Sequence, residues 1–136
     1  MNNLAGIIIL FGGVFNLGFA IFHLLFWQIF RWKEDLASLT STNRFIMQIL
    51  NLCLIFVFLI MAYVSIFQTA AMISTSLGKS LLIAFSLFWL LRMIEQIIFF
   101  GVKNKVSFAF TLVFFVGCII YALPVLVKLW LHGWPR

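Results

Sequence analysis

Four long apolar runs, 4–30, 45–67, 81–100 and 106–127, alternate along this chain with short stretches that gather charge and turn-forming residues. A helix needs about 20 apolar residues to cross the hydrocarbon core of a bilayer, and each run meets that length. Inside the runs, polar and small residues recur at spacings of three and four, which places them on single helix faces. Run one carries Gly13, Asn16, Ala20, His23 and Trp27 on such a stripe; run two carries Gln48, Asn51, Ile55, Phe58, Ala62 and Ser65. Run four repeats the spacing with Ser107, Thr111, Phe114, Cys118, Tyr121 and Val125. Small residues let membrane helices approach closely, and Asn, His, Ser or Thr on the same face can hydrogen-bond across the contact. The pattern predicts an all-α integral membrane protein, an antiparallel four-helix bundle occupying the whole chain as one unit.

The connections refine this picture. Segment 31–44 is the one stretch with soluble character, and Trp32, Leu36 and Leu39 fall on one face of it, predicting a short interfacial helix with Trp32 at headgroup depth. Ser41, Thr42 or Asn43 can then cap the second span. Segment 69–80, rich in small and hydroxyl residues, reads as a loop, and Gly101 suits the end of the third span. Run one exceeds the spanning length, which predicts tilt or a protruding end, and its start lacks the marks of a cleavable signal. Pro124 should kink the fourth helix or loosen its ladder. Beyond it, Lys128, Trp130, His132, Trp134 and Arg136 read as an interfacial anchor.

Composition agrees: 65% of residues are hydrophobic and 9% charged, with a mean hydropathy of +1.22. A net charge of +6 would suggest nucleic acid in a soluble chain, but eight of the nine basic residues lie at the ends of apolar runs, where topology explains them, so nucleic acid is not an expected partner. Loops one and three carry five of these, Arg31, Lys33, Arg44, Lys103 and Lys105, and the opposite face three, Lys79, Lys128 and Arg136. That excess predicts loops one and three in the cytoplasm and both termini outside, in a bacterial inner membrane. Cys53 and Cys118 have no partner motif and read as buried free thiols.

The ninth basic residue changes the picture most. Arg92, Glu95 and Gln96 interrupt run three. Ionisable groups inside a span are costly and by default mark function, and residues three apart can pair within their own helix. Counted from the helix ends, His23, Asn51, Arg92, Glu95 and Thr111 all lie roughly 6 to 14 Å below one membrane face. The prediction is a polar layer of His23, Gln48, Asn51, Arg92, Glu95 and Gln96 inside the bundle, with Asn16 and Tyr121 deeper, extending it into a track. Three classes of function suit such a layer. It could bind or transport a small solute, ion or proton, Glu95 and His23 exchanging protons while Arg92 holds Glu95 charged or binds an anion. It could serve a membrane enzyme acting on a lipid, with His23 or Glu95 as acid–base groups and Arg92 stabilising negative charge. It could fix packing in an accessory subunit. The first is the reading adopted, with the bilayer, a small apolar or anionic ligand, and further copies or a larger membrane complex as partners. No cofactor is expected, and no metal, since His23, Glu95 and Cys53 lack ligand spacing and Arg92 would oppose a cation. The motifs of small multidrug transporters, quinone-linked disulfide oxidoreductases and di-haem cytochromes are missing from these runs.

Overall fold

The computed structural model describes residues 2–132, with side chains from 4 to 130. It is an all-α helical bundle of the membrane type. Four helices have the length and hydropathy to cross a membrane: Leu4–Leu24, Ser41–Phe67, Ser76–Phe100 and Lys105–Trp130. They belong to α1 (Asn2–Leu24), α4 (Ser41–Phe67), α6 (Ser76–Phe100) and α7 (Lys105–His132). Shorter helices fill the connections: α2 (Phe26–Ile29) and α3 (Trp32–Asp35) with a 3-10 turn at Leu36–Ser38 between α1 and α4, and α5 (Thr69–Ser74) between α4 and α6.

The stripes read from spacing are the packed faces. Gly13, Asn16, Ala20 and His23 of α1 are buried, as are Asn51, Ile55, Phe58, Ala62 and Ser65 of α4, and Ser107, Phe114, Tyr121 and Val125 of α7. Apolar residues off the stripes, such as Val14, Phe56 and Ile98, are exposed, as a surface in contact with lipid tails allows. Helix α1 packs against α4, α7 and α5, and α6 packs against α7 and α5. Across the remaining side, α4 and α6 meet through Phe58 against Phe88 and Trp89 rather than by close backbone approach.

Run one is not one helix. Helix α1 stops at Leu24, and Arg31 takes a left-handed conformation at φ 48° that turns the chain back. The break falls where the Asn51 side chain of α4 donates to the His23 carbonyl, supplying from outside a partner for a helix-terminal acceptor. Trp27, beyond the break, leaves the buried stripe and is exposed. The excess length thus folds over as α2, whose Phe26 packs on Trp32 at 5.5 Å between ring centroids. Trp32 and Leu36 are buried and Leu39 half-buried, the face expected of segment 31–44. The α4 cap lies one residue earlier than the expected candidates: Thr40 Oγ1 accepts from the Asn43 amide at 3.4 Å. Arg44, read as a topology charge, also has a structural task. Its guanidinium donates to the carbonyls of Leu36, Ala37 and Leu39, tying the turn to the start of α4.

Segment 69–80 is not a loop. Its hydroxyls and small residues build a helix and the start of the next. Thr75 Oγ1 accepts from the Gly78 amide at 2.9 Å to cap α6. Gly78 lies so close to the backbone of Ala71 and Met72 that a Cβ there would collide with main chain. Gly101 ends α6 at φ 66°, as expected. Helix α7 runs on past Pro124 to His132. Of the expected anchor, Lys128 donates to the Ile73 carbonyl at 3.0 Å and Trp130 is exposed, while the His132 side chain, Trp134 and Arg136 lie outside the described residues. Cys118 is half-buried beside Ser86, whereas Cys53 is exposed on the outer side of α4 and is not a buried thiol.

Candidate functional site

An aromatic layer divides the bundle at mid-depth. Trp89 of α6 is fully buried, with Phe15 and Phe19 of α1 edge-on at 4.9 and 4.7 Å. Phe58 of α4 stacks on Trp89 at 5.6 Å and Phe114 of α7 at 5.9 Å. The layer follows from heptad spacing, which keeps residues seven apart on one face. On α4, Asn51, Phe58 and Ser65 are successive heptad positions; on α7, Ser107, Phe114 and Tyr121 are; on α6, Trp89 precedes Gln96 by seven. Polar groups therefore lie two turns, roughly 10 Å, to either side of the rings.

Towards loops one and three, the expected layer resolves into separate pairs. His23 and Asn51 make two bonds, Nδ1 to Oδ1 at 2.8 Å and Asn51 Nδ2 to the His23 carbonyl at 3.1 Å. With the amide nitrogen committed to a carbonyl, Asn51 presents its oxygen, so His23 Nδ1 carries the proton and donates. A neutral ring then keeps its Nε2 lone pair, and Nε2 bonds no described residue. The His23 ring lies on Phe26 at 4.2 Å and near Phe58 at 5.1 Å. Gln96, buried, donates to Ser107 Oγ at 3.0 Å, and Ser107 donates to the Gly101 carbonyl at 2.5 Å. That chain ties the end of α6 to the start of α7. Gln48 is half-buried and bonds no described residue.

Arg92 and Glu95 do pair, Nη1 to Oε2 at 2.5 Å, but not in the bundle interior. Their side chains are 33% and 37% exposed, and among the described residues there is no buried ion pair. The reason is the loose side of the bundle. Trp89 and Gln96 take the inward face of α6, and α4 does not approach closely enough to cover the flank that carries the pair. Arg92 also reaches over the Phe114 ring, 5.1 Å from its centroid, a cation–π contact. Arg92 and His23 thus cap one aromatic stack, Phe114–Trp89–Phe58, from two ends.

On the other side of the rings, Asn16, Ser65 and Tyr121 form a fully buried cluster joining α1, α4 and α7. Asn16 Nδ2 donates to Tyr121 Oη and to the Gly12 carbonyl, both at 2.7 Å, and Ser65 Oγ lies 2.8 Å from Tyr121 Oη. Asn16 Oδ1 and Trp89 Nε1 are buried without a partner among the described residues. Ser65 was legible as a stripe residue but not as a member of this cluster, because spacing gives a face and not the residue opposite. The continuous track expected between the two regions is interrupted by the ring layer. Comparison with family models, with curated proteins and with solved structures returned no match, so function has to be argued from the chain's own residues.

Proposed function

We propose that this integral membrane protein binds a small anionic or hydrogen-bonding solute at the end of the bundle that carries loops one and three. The observation that carries this reading is the state of Arg92. A guanidinium has five N–H donors in a fixed fork, and here Glu95 is its one hydrogen-bond partner among the described residues, with a third of the side chain accessible. A charged group held inside an apolar span with open donors is costly to keep for packing alone. His23 Nε2 and the Gln48 amide offer polar contacts from α1 and α4, and Glu95 offers a carboxylate that a bound anion would displace or a proton would neutralise. Binding is better supported than passage, because transport would require the Trp89 layer to open. We further propose that loops one and three face the cytoplasm, which the five-to-three charge excess supports.

The test is a titration of the full chain in lipid nanodiscs with chloride, phosphate, acetate and glutamate, read by calorimetry. The reading requires saturable binding of at least one anion that the Arg92→Leu/Glu95→Leu double variant loses while still folding. A double variant that folds and binds equally well would overturn it. Labelling of a Lys103→Cys variant from outside intact cells would overturn the orientation. A second reading, an accessory subunit of a membrane complex, is supported by the same exposed flank, where a partner helix could satisfy Arg92. It predicts that the chain from native membranes migrates in a larger particle that the double variant disrupts.

A further inference from the structure

At the opposite end of the bundle a cavity of about 270 Å³ opens between α1, α5, α6 and α7. Ala5 and Ile8, Ile73, Leu82, Leu123 and Val127 give it aliphatic walls, and Lys79 and Lys128 are the charged residues among its described lining. It lies at the ends of the spans, where lysines are placed at headgroup depth and aliphatic walls reach towards the tails. Lys128 is held there, its ammonium donating to the Ile73 carbonyl of α5 at 3.0 Å, which leaves further N–H donors on the same group. The described lining residues include no carboxylate, so the charge that the wall itself carries is positive. The volume lies just below the roughly 300–1,000 Å³ of ligand sites, room for part of one chain and not for a bulky ring system.

We propose that this cavity binds one acyl chain of an anionic amphiphile, with the carboxylate or phosphate of the headgroup held between Lys79 and Lys128. The apolar walls take the chain and the cations select the head. A free fatty acid and an anionic phospholipid share this chemistry. The site is separate from the one at Arg92 and stands without it.

The experiment uses the full chain in phosphatidylcholine nanodiscs and a diazirine-bearing fatty acid, with labelled residues mapped by mass spectrometry. Saturable labelling confined to α5, the start of α6 and the ends of α1 and α7 is expected, displaced by dodecanoate and not by dodecyltrimethylammonium. Displacement by phosphatidylglycerol as well would identify a membrane lipid as the source; its failure would leave the free acid. Each lysine near a membrane surface contributes on the order of a few-fold to tenfold, so Lys79→Gln/Lys128→Gln should weaken half-saturation about tenfold to a hundredfold. Ala5→Phe, which fills the cavity, should abolish labelling. Should that variant not fold, the lysine variant, altered at the mouth, still decides. Labelling spread over all four spans without saturation, equal displacement by the cationic amphiphile, or no change in the lysine variant would overturn the proposal.

Discussion

Two polar clusters flank the same ring layer and differ in almost every respect. The cluster of Asn16, Ser65 and Tyr121 is neutral, fully buried and drawn from three helices that pack closely. The cluster at Arg92 is charged, one-third exposed and lies where α4 and α6 stand apart. Neutral groups can be enclosed at modest cost once hydrogen-bonded, whereas ions are expensive to enclose even when paired. The fold follows that ranking, burying the neutral cluster as structural glue and leaving the charged one within reach of a ligand, a partner or water.

The largest expected effect comes from removing what separates them. Trp89→Ala takes the central ring out of contact with Phe15, Phe19, Phe58 and Phe114, and large-to-small core changes of this kind cost about 3–5 kcal/mol. In a nanodisc it should lower the melting temperature more than any other single change discussed here. It should also render the thiol of an added Asn16→Cys substitution reactive from the side of loops one and three, if the layer is the barrier. A folded Trp89→Ala protein in which that thiol stays unreactive would mean that other side chains seal the bundle.

How far the sequence went depends on what each residue answers to. The four spans and their buried faces were legible because apolar periodicity is a property of single helices. Asn51, Phe58 and Ser65 could be assigned to one face without knowing what they touch. Short segments were not legible in the same way. Helix α5 is too short for apolar periodicity and is flanked by the hydroxyls of Thr69, Ser74, Thr75 and Ser76, and it packs backbone to backbone against Gly78. The break after Leu24 depends on a side chain 28 residues away from the one it meets. In the candidate site, depth counting gives each residue a distance from one face and not its partner. It could not show that Gln96 bonds Ser107, or that Arg92 points to an uncovered flank, because both depend on how far apart the helices stand.

A double-mutant cycle on Arg92 and Glu95 sharpens the comparison next. A fully buried pair broken by one substitution loses about 3–5 kcal/mol, and an exposed pair in water is worth about 0.2–1 kcal/mol. One-third exposure places this pair between those limits, with an expected coupling of about 1–2 kcal/mol from melting of Arg92→Leu, Glu95→Leu and the double variant. Either single change should destabilise more than the double. Glu95→Leu should be the worse of the two, since a glutamate left alone can take up a proton and an arginine cannot give one up. A coupling near zero would show that Arg92 is held by Phe114 and its surroundings rather than by Glu95.

The smallest effect tests the other half of the comparison. Tyr121→Phe keeps the ring against Phe85, where the centroids are 5.3 Å apart, and removes one hydroxyl. Ser65 then loses its side-chain partner, while Asn16 Nδ2 retains the Gly12 carbonyl. Hydrogen bonds between membrane helices average about 0.6 kcal/mol, with a maximum near 1.7, so the loss should be about 1 kcal/mol. Ser65→Ala, which leaves Tyr121 bonded to Asn16, should cost less, and adding it to Tyr121→Phe should cost almost nothing further, since the orphaned hydroxyl is gone. Melting of the three variants measures this, and anion binding at the other end should be unchanged in all of them. If Tyr121→Phe instead abolished anion binding without loss of stability, the two clusters would be one functional unit joined through the rings. The neutral cluster could then no longer be read as glue.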